Sequence, residues 1–494
     1  MVAEQWGVWP TLDIADYASH DALGLASLVA AGALTPTELL DHAIAAIEAT
    51  NPRLNAVVNR LYDRARAQIE AGLPPGPLRG VPFLVKDLGL AIEGVPTTGG
   101  SPLRAAHLGT QDSELLLRQQ RAGLVVVGQT AVPELAMNWG MASTLFGTTA
   151  NPWDLARNPG ISSGGSAAAV AAGVVPMAHG NDGGGSIRVP ASSTGLFGMK
   201  PTRHRTPCGP VPGDQWYGMV CDHALTRSVR DSAALLDATA GQETGAFFTA
   251  PPQQAPFLDE VGRPPGRLRI ALATQAPYGA SVHPDCTQAA DEAAALCEQL
   301  GHVVEPCEIP IVPGGWEAFE IFLAQEYASG VDEDEQRLGR PLAAADFDGV
   351  LWDIILRGRS ISALDLARAM RTVHRIARAM GQFLDTYDVV LTPTMAVPPV
   401  THAHFDMKAL DQAGYWRGYL DYMPFTHLFN IGGQPAMSVP LAWNDDGLPI
   451  GVQFAAQVGG EPTLFRLAAQ LEQARPWAGR IPRVHVSRPL SDNR

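Results

Sequence analysis

Three segments of this 494-residue chain carry residue types that could do covalent chemistry together. The first holds a lysine, Lys86, at the end of the apolar run Phe83-Leu84-Val85, an unfavourable place for an unpaired cation. Burial disfavours the ammonium form and lowers its pKa, which makes such a lysine a usable general base near neutral pH. A salt bridge, with Asp87 the nearest acid, is the alternative use. Lysine occurs elsewhere only at Lys200 and Lys408, so nearly all of the 35 basic residues are arginine. A GC-rich coding bias explains the arginines, but arginine cannot give up its proton at neutral pH and buried lysine can.

The second segment, Asn158 to Gly173, reads NPGISSGGSAAAVAAG. Glycine and serine at this density open backbone conformations closed to other residues. A flexible linker has the same composition, yet this run flows directly into an alanine-rich helix. Gly160-Ile161-Ser162-Ser163-Gly164 also fits the G-x-S-x-G nucleophile elbow, which requires a buried strand immediately before it. The preceding Asn151–Pro159 is a proline-broken loop, so the elbow is excluded. The third segment is His179-Gly180-Asn181-Asp182-Gly183-Gly184-Gly185-Ser186-Ile187-Arg188-Val189-Pro190. Its three glycines can turn successive N–H groups onto one point and hold an anion. No G-K-[ST] follows, so it is not a phosphate loop. The remaining use is an oxyanion hole built from Gly183, Gly184, Gly185 and Ser186, with Ser186 placed as a nucleophile. A serine hydroxyl needs a nearby base, and a lysine too distant to touch it can act through an intermediate hydroxyl such as Ser162.

These segments need a rigid frame, and the chain supplies one. Thr35-Pro36-Thr37-Glu38 predicts a capped helix start. Short apolar runs at 78–86, 124–128, 174–182, 269–274 and 388–394 read as strands. Helical patterns at 112–122, 166–173, 228–241, 284–301 and 361–387 alternate with them. The alternation predicts an α/β fold in one large domain, a mixed sheet covered by helices on both faces. The Pro-rich stretch 250–266 reads as a surface connection. Residues 310–360 read as irregular, and a cap over the site is expected at about 310–430.

Hydrophobic residues make up 46% of the chain and charged residues 17%, which fits a well-buried globular enzyme. The net charge of −15 disfavours nucleic acid and anionic lipid and favours a small uncharged or weakly charged substrate. Five cysteines without CxxC or metal spacing are expected to be free thiols in a cytoplasmic protein. The opening MVAEQWGVWPTLDIADYASHD has neither a basic nor an apolar leader region, and no apolar run reaches the roughly 18 residues of a membrane helix.

Taken together, Lys86, the 158–173 run and the 179–190 turn resemble the amidase signature hydrolases. NPWD at 151–154, GMKPT at 198–202, SVRDSAALLD at 228–237, DVVLTPT at 388–394 and FNIGGQPAMSVP at 429–440 extend the likeness over residues 20 to 477. The resemblance implies that Lys86 is the catalytic lysine, Ser162 the serine after a cis peptide, and Ser186 the nucleophile. Asp182, Ser163 and Arg188 fall on supporting positions of the same motif. Ile161 departs from it, since the family most often has glycine there. Met137, Asn138 and Trp139 align with a pocket-lining stretch, with substrate contact or simple packing as their two uses, while His179 and His204 are expected to be structural because this triad needs no histidine.

Among family branches the chain looks most like the 6-aminohexanoate cyclic dimer hydrolases and bacterial aryl acylamidases. The resemblance implies hydrolysis of small neutral amides, with carbamates and esters as further substrates, by a monomer or homodimer needing no metal or organic cofactor. The glutaminase subunit of a tRNA-dependent amidotransferase is an alternative, but the basic segment that grips an amino-acid carboxylate is not evident. A catalytically silent binding relative would have lost one of the three residues.

Overall fold

Why the three segments meet follows from the order of strands in one sheet. The computed structural model describes residues 13–210 and 213–488, so the leader reading of the first twelve residues falls outside it. Eleven strands pair into a mixed sheet: β1 (Val57–Arg60), β2 (Pro82–Lys86), β3 (Val125–Thr130), β4 (Met177–Asp182), β5 (Phe197–Lys200), β6 (Cys221–Thr226), β7 (Arg269–Leu272), β8 (Val303–Pro306), β9 (Val389–Pro393), β10 (Ala436–Trp443) and β11 (Pro449–Ala456). In space they run β1-β3-β2-β4-β6-β5-β10-β11-β9-β7-β8. β2 lies between β3 and β4 and is parallel to both. All five of its residues are buried, as a strand covered on both faces must be.

Side-chain alternation separates the two faces of the sheet. Ala271, Val390 and Ala455 point into one apolar cluster, while Ile270, Val389, Leu391 and Phe454 point into another. Helices cover both, as the α/β expectation required. The first long helix, α1 (Pro36–Leu54), begins at the expected cap. Thr35 Oγ1 accepts the Glu38 N–H at 3.2 Å, and the Glu38 carboxylate accepts the Thr35 N–H at 2.7 Å. Helix α2 (Gly164–Ala171) follows the serine-rich run, and α3 (Arg188–Thr194) follows the glycine turn.

Residues 310–360, expected to be irregular, instead hold two helices, α4 (Gly315–Leu338) and α5 (Leu351–Arg359). The half-buried acids Glu320 and Glu326 interrupt the apolar stripe, yet Phe319, Phe322, Leu323 and Val331 recur at helical spacing and are buried. Helices α5 and α6 (Ala363–Leu384) pack on α4, and α7 (Gln412–Tyr422) and α8 (His427–Gly432) complete this layer. Their aromatic side chains, Trp316, Phe319, Tyr415 and Tyr419, interlock with Trp139 and His427.

Candidate active site

Lys86 is the last residue of β2, so its side chain leaves the sheet at the carboxyl ends of three parallel strands. It is completely buried. Its Nζ donates to Ser162 Oγ at 2.7 Å and to Asn181 Oδ1 at 2.6 Å. Burial pulls the ammonium pKa down to about 7, and the negative charges of Asp222 and Asp182 oppose that fall only in part. No salt bridge to Asp87 forms; that carboxylate accepts from the Thr98 N–H and hydroxyl. A histidine outside the proposed triad also touches Lys86. His179 Nδ1 accepts the Lys86 backbone N–H at 3.3 Å, which leaves Nε2 as the protonated nitrogen facing Asp222 Oδ1 at 3.0 Å.

Ser162 follows a cis peptide with Ile161. The chain then enters α2 against the end of β3, where the Gly165 N–H donates to the Ala131 carbonyl at 3.2 Å. A Cβ at Gly165 would lie 2.5 Å from Ala131 backbone atoms, so only glycine allows this approach. Ser163 joins the two serine segments: its N–H donates to the Ser186 carbonyl, and its hydroxyl to the Asn181 carbonyl, both at 3.3 Å.

The glycine turn is gathered around Asp182. Its Oδ1 accepts from the Gly185 N–H, Arg188 Nη2 and Asn430 Nδ2 at 2.8, 2.8 and 2.9 Å. Oδ2 accepts from the Ile187 N–H at 3.1 Å and from Arg188 Nε at 2.9 Å. Burial pushes this carboxyl upward, but the charge and hydrogen bonds of Arg188, with Asn430, outweigh it and hold the group well below the usual carboxylate range. Gly185 therefore cannot offer its N–H to an oxyanion, which corrects the four-residue donor set. Among the described residues the N–H groups of Gly183, Gly184 and Ser186 have no protein acceptor. They remain the available donors.

Ser162, Asn181, Gly183 and Ser186 open onto a cavity of about 230 Å³. Gln215, Trp216, Tyr327 and Val331 form part of its wall, with Glu326 and Glu333 on α4. Neither glutamate belongs to an ion pair among the described residues, whereas Arg104, on the same wall, is bound to Asp334 at 2.9 Å. Burial, with repulsion from Asp214 and Glu333, pushes the Glu326 carboxyl upward.

Met137, Asn138 and Trp139 do not line this cavity. Trp139 stacks on Tyr415 at 4.6 Å, Met137 accepts the Tyr415 hydroxyl at 3.1 Å, and Asn138 donates to Asp348 at 2.8 Å. Leu135 and Ala136 reach the wall instead. Both have positive φ, 47° and 62°, and this tight turn sends the next three side chains into the aromatic layer. His204 stays away from the reacting groups, stacked on Phe248 at 5.2 Å. Asn181 lies two positions from His179, so strand alternation puts it on the same face of β4, the one sequence signal that marks it as a site residue.

This geometry has counterparts. The Amidase family model matches residues 38–465. That decides the family. The chain belongs to the amidase signature hydrolases. Among relatives of this amidase, the 6-aminohexanoate-cyclic-dimer hydrolase of Paenarthrobacter ureafaciens is 36% identical over 484 residues, covering 94% of this chain and 97% of the relative. A solved 6-aminohexanoate cyclic dimer hydrolase in complex with substrate superposes with a TM-score of 0.90 at 34% identity, covering 94% of this chain and 99% of the other. A bacterial aryl acylamidase gives 0.84 at 28% identity, with 95% and 99% covered. The amidase thus has an α/β fold and is a hydrolase acting on amides. None of its described helices is long and apolar enough to cross a membrane.

Proposed function

We propose that this amidase hydrolyses small neutral amides through an acyl-enzyme on Ser186, with Lys86 as general base and Ser162 as proton relay. The 2.7 Å contact between Lys86 Nζ and Ser162 Oγ, in a site where the lysine pKa falls to about 7, carries the reading. Neutral Lys86 takes the Ser162 proton as Ser162 takes that of Ser186, and Ser186 Oγ attacks the carbonyl carbon. The N–H groups of Gly183, Gly184 and Ser186 receive the developing oxyanion. Ser162 then protonates the leaving nitrogen as the C–N bond breaks, and water attacks the acyl carbon to release the acid and restore the hydroxyl. The attacked carbonyl carbon is common to amides and carbamates, so cyclic and linear amides, anilides and aryl carbamates are all candidate substrates. The unpaired Glu326 and Glu333 disfavour a substrate with a carboxylate near the scissile bond. Five free thiols are in keeping with a cytoplasmic enzyme.

Activity on a cyclic diamide, a 4-nitroanilide, an aryl carbamate and a carboxylate-bearing anilide tests the substrate class. Intact-mass measurement during turnover is expected to show the acyl adduct, absent in Ser186→Ala. That substitution should lower kcat by about 10⁴-fold or more. An undiminished rate in the folded variant would remove the mechanism.

A further inference from the structure

The glycine turn is held from behind by two hydroxyls that take no part in the proton relay. Tyr419 Oη, on α7, donates to the Gly184 carbonyl at 2.8 Å. Thr426 Oγ1, just before α8, donates to the same oxygen at 2.5 Å. Both residues are buried. The peptide joining Gly184 to Gly185 is planar, so its carbonyl and its N–H point in opposite directions. That N–H donates to Asp182 Oδ1 at 2.8 Å, so the one peptide is tethered at both ends.

The peptides on either side of it carry the Gly184 and Ser186 N–H groups, two of the three donors that have no protein acceptor among the described residues. Gly185 sits at φ 139°, and neither glycine has a Cβ to oppose rotation of the plane between them. A rotated plane would misdirect the flanking donors and could turn a carbonyl oxygen toward the developing negative charge. The fit behind the turn is tight. A Cβ at Gly184 would come within 2.4 Å of Tyr419 Oη, and one at Gly185 within 2.6 Å of Thr426 Oγ1. The hydroxyls are themselves held in place. The Tyr419 ring lies among Trp139, Trp316 and Phe319 at centroid distances of 5.4, 5.1 and 5.6 Å. The Thr426 carbonyl accepts Arg188 Nη1 at 2.8 Å.

We propose that Thr426 and Tyr419 are positioning residues that lock the Gly184–Gly185 peptide and so set how tightly the turn holds a tetrahedral intermediate. The inference rests on Ser186 being the nucleophile. Thr426→Val and Tyr419→Phe remove the hydroxyls with little change of shape, and Thr426→Ser keeps one. Each single loss should lower kcat on the order of tenfold, and the pair about 10²- to 10³-fold, with KM little changed. Affinity for an aryl trifluoromethyl ketone, which adds to a serine as a tetrahedral adduct, should weaken in parallel with kcat/KM. Thr426→Ser should restore both. Tyr419→Phe, which keeps the ring packing, carries the test if the valine variant does not fold. A kcat within about twofold of wild type in Tyr419→Phe, or a rise confined to KM, overturns the proposal. Failure of the ketone to form an adduct on the wild-type enzyme would instead remove the nucleophile assignment, and this inference with it.

Discussion

Two lysines end buried strands of the same sheet, and only one of them meets a hydroxyl. Lys86 closes β2 and Lys200 closes β5, both side chains are fully buried, and burial lowers the pKa of each. Lys86 Nζ reaches Ser162 Oγ beside the cavity. Lys200 Nζ donates to the Pro201 carbonyl at 2.8 Å and lies 3.8 Å from Cys221 Sγ. A carbonyl cannot pass on a proton, and neither Lys200 nor Cys221 lines that cavity, so this second lysine has no path to the reacting groups. Burial favours the neutral amine in both places. Connection to a hydroxyl at a cavity supplies a use for it.

Four measurements test the difference between the two lysines. Lys86→Ala should lower kcat by about 10³- to 10⁴-fold, and Lys86→Arg should be as poor because arginine stays protonated. Next in size is the pH dependence. Lys86 acts as the neutral amine, so kcat/KM should fall about tenfold per pH unit below about 7 and level off above it. Asn181→Asp would place a carboxylate against Nζ and favour the ammonium, moving this acid limb up by about 1 unit or more. A limb that stays in place would mean that another group controls it. Lys200→Met should change least, with kcat within about tenfold of wild type and the acid limb unmoved. Loss of turnover in folded Lys200→Met would erase the distinction between the two lysines.

Much of this was legible in the sequence because local signals agreed. The Thr35–Glu38 cap, the strand at Lys86 and the helix after Gly164 each follow from short-range patterns, and all three form. What was missed depends on distance along the chain or on turn geometry. Thr426 and Asn430 act on Gly184 and Asp182 from more than two hundred residues away, and no spacing rule announces that. The glycine run identified the turn but not which N–H faces inward, and Gly185 proved to be committed to Asp182. For residues 137–139, a pair of positive-φ residues just upstream decided the outcome, against the ordinary preference of leucine and alanine. In α4, the half-buried acids Glu320 and Glu326 obscured the helical period.

Strand β4 does two jobs with its two faces. His179 and Asn181 look toward Lys86, while Asp182 looks toward the glycine turn. Because side chains alternate, inserting or deleting a single residue in this strand would exchange those assignments. The ammonium would then face a carboxylate and keep its proton, and the turn would lose the acceptor that collects its amides. Evolution can therefore vary the walls of this enzyme by loops and point changes, but the length of six consecutive residues, Met177 to Asp182, is closed to it.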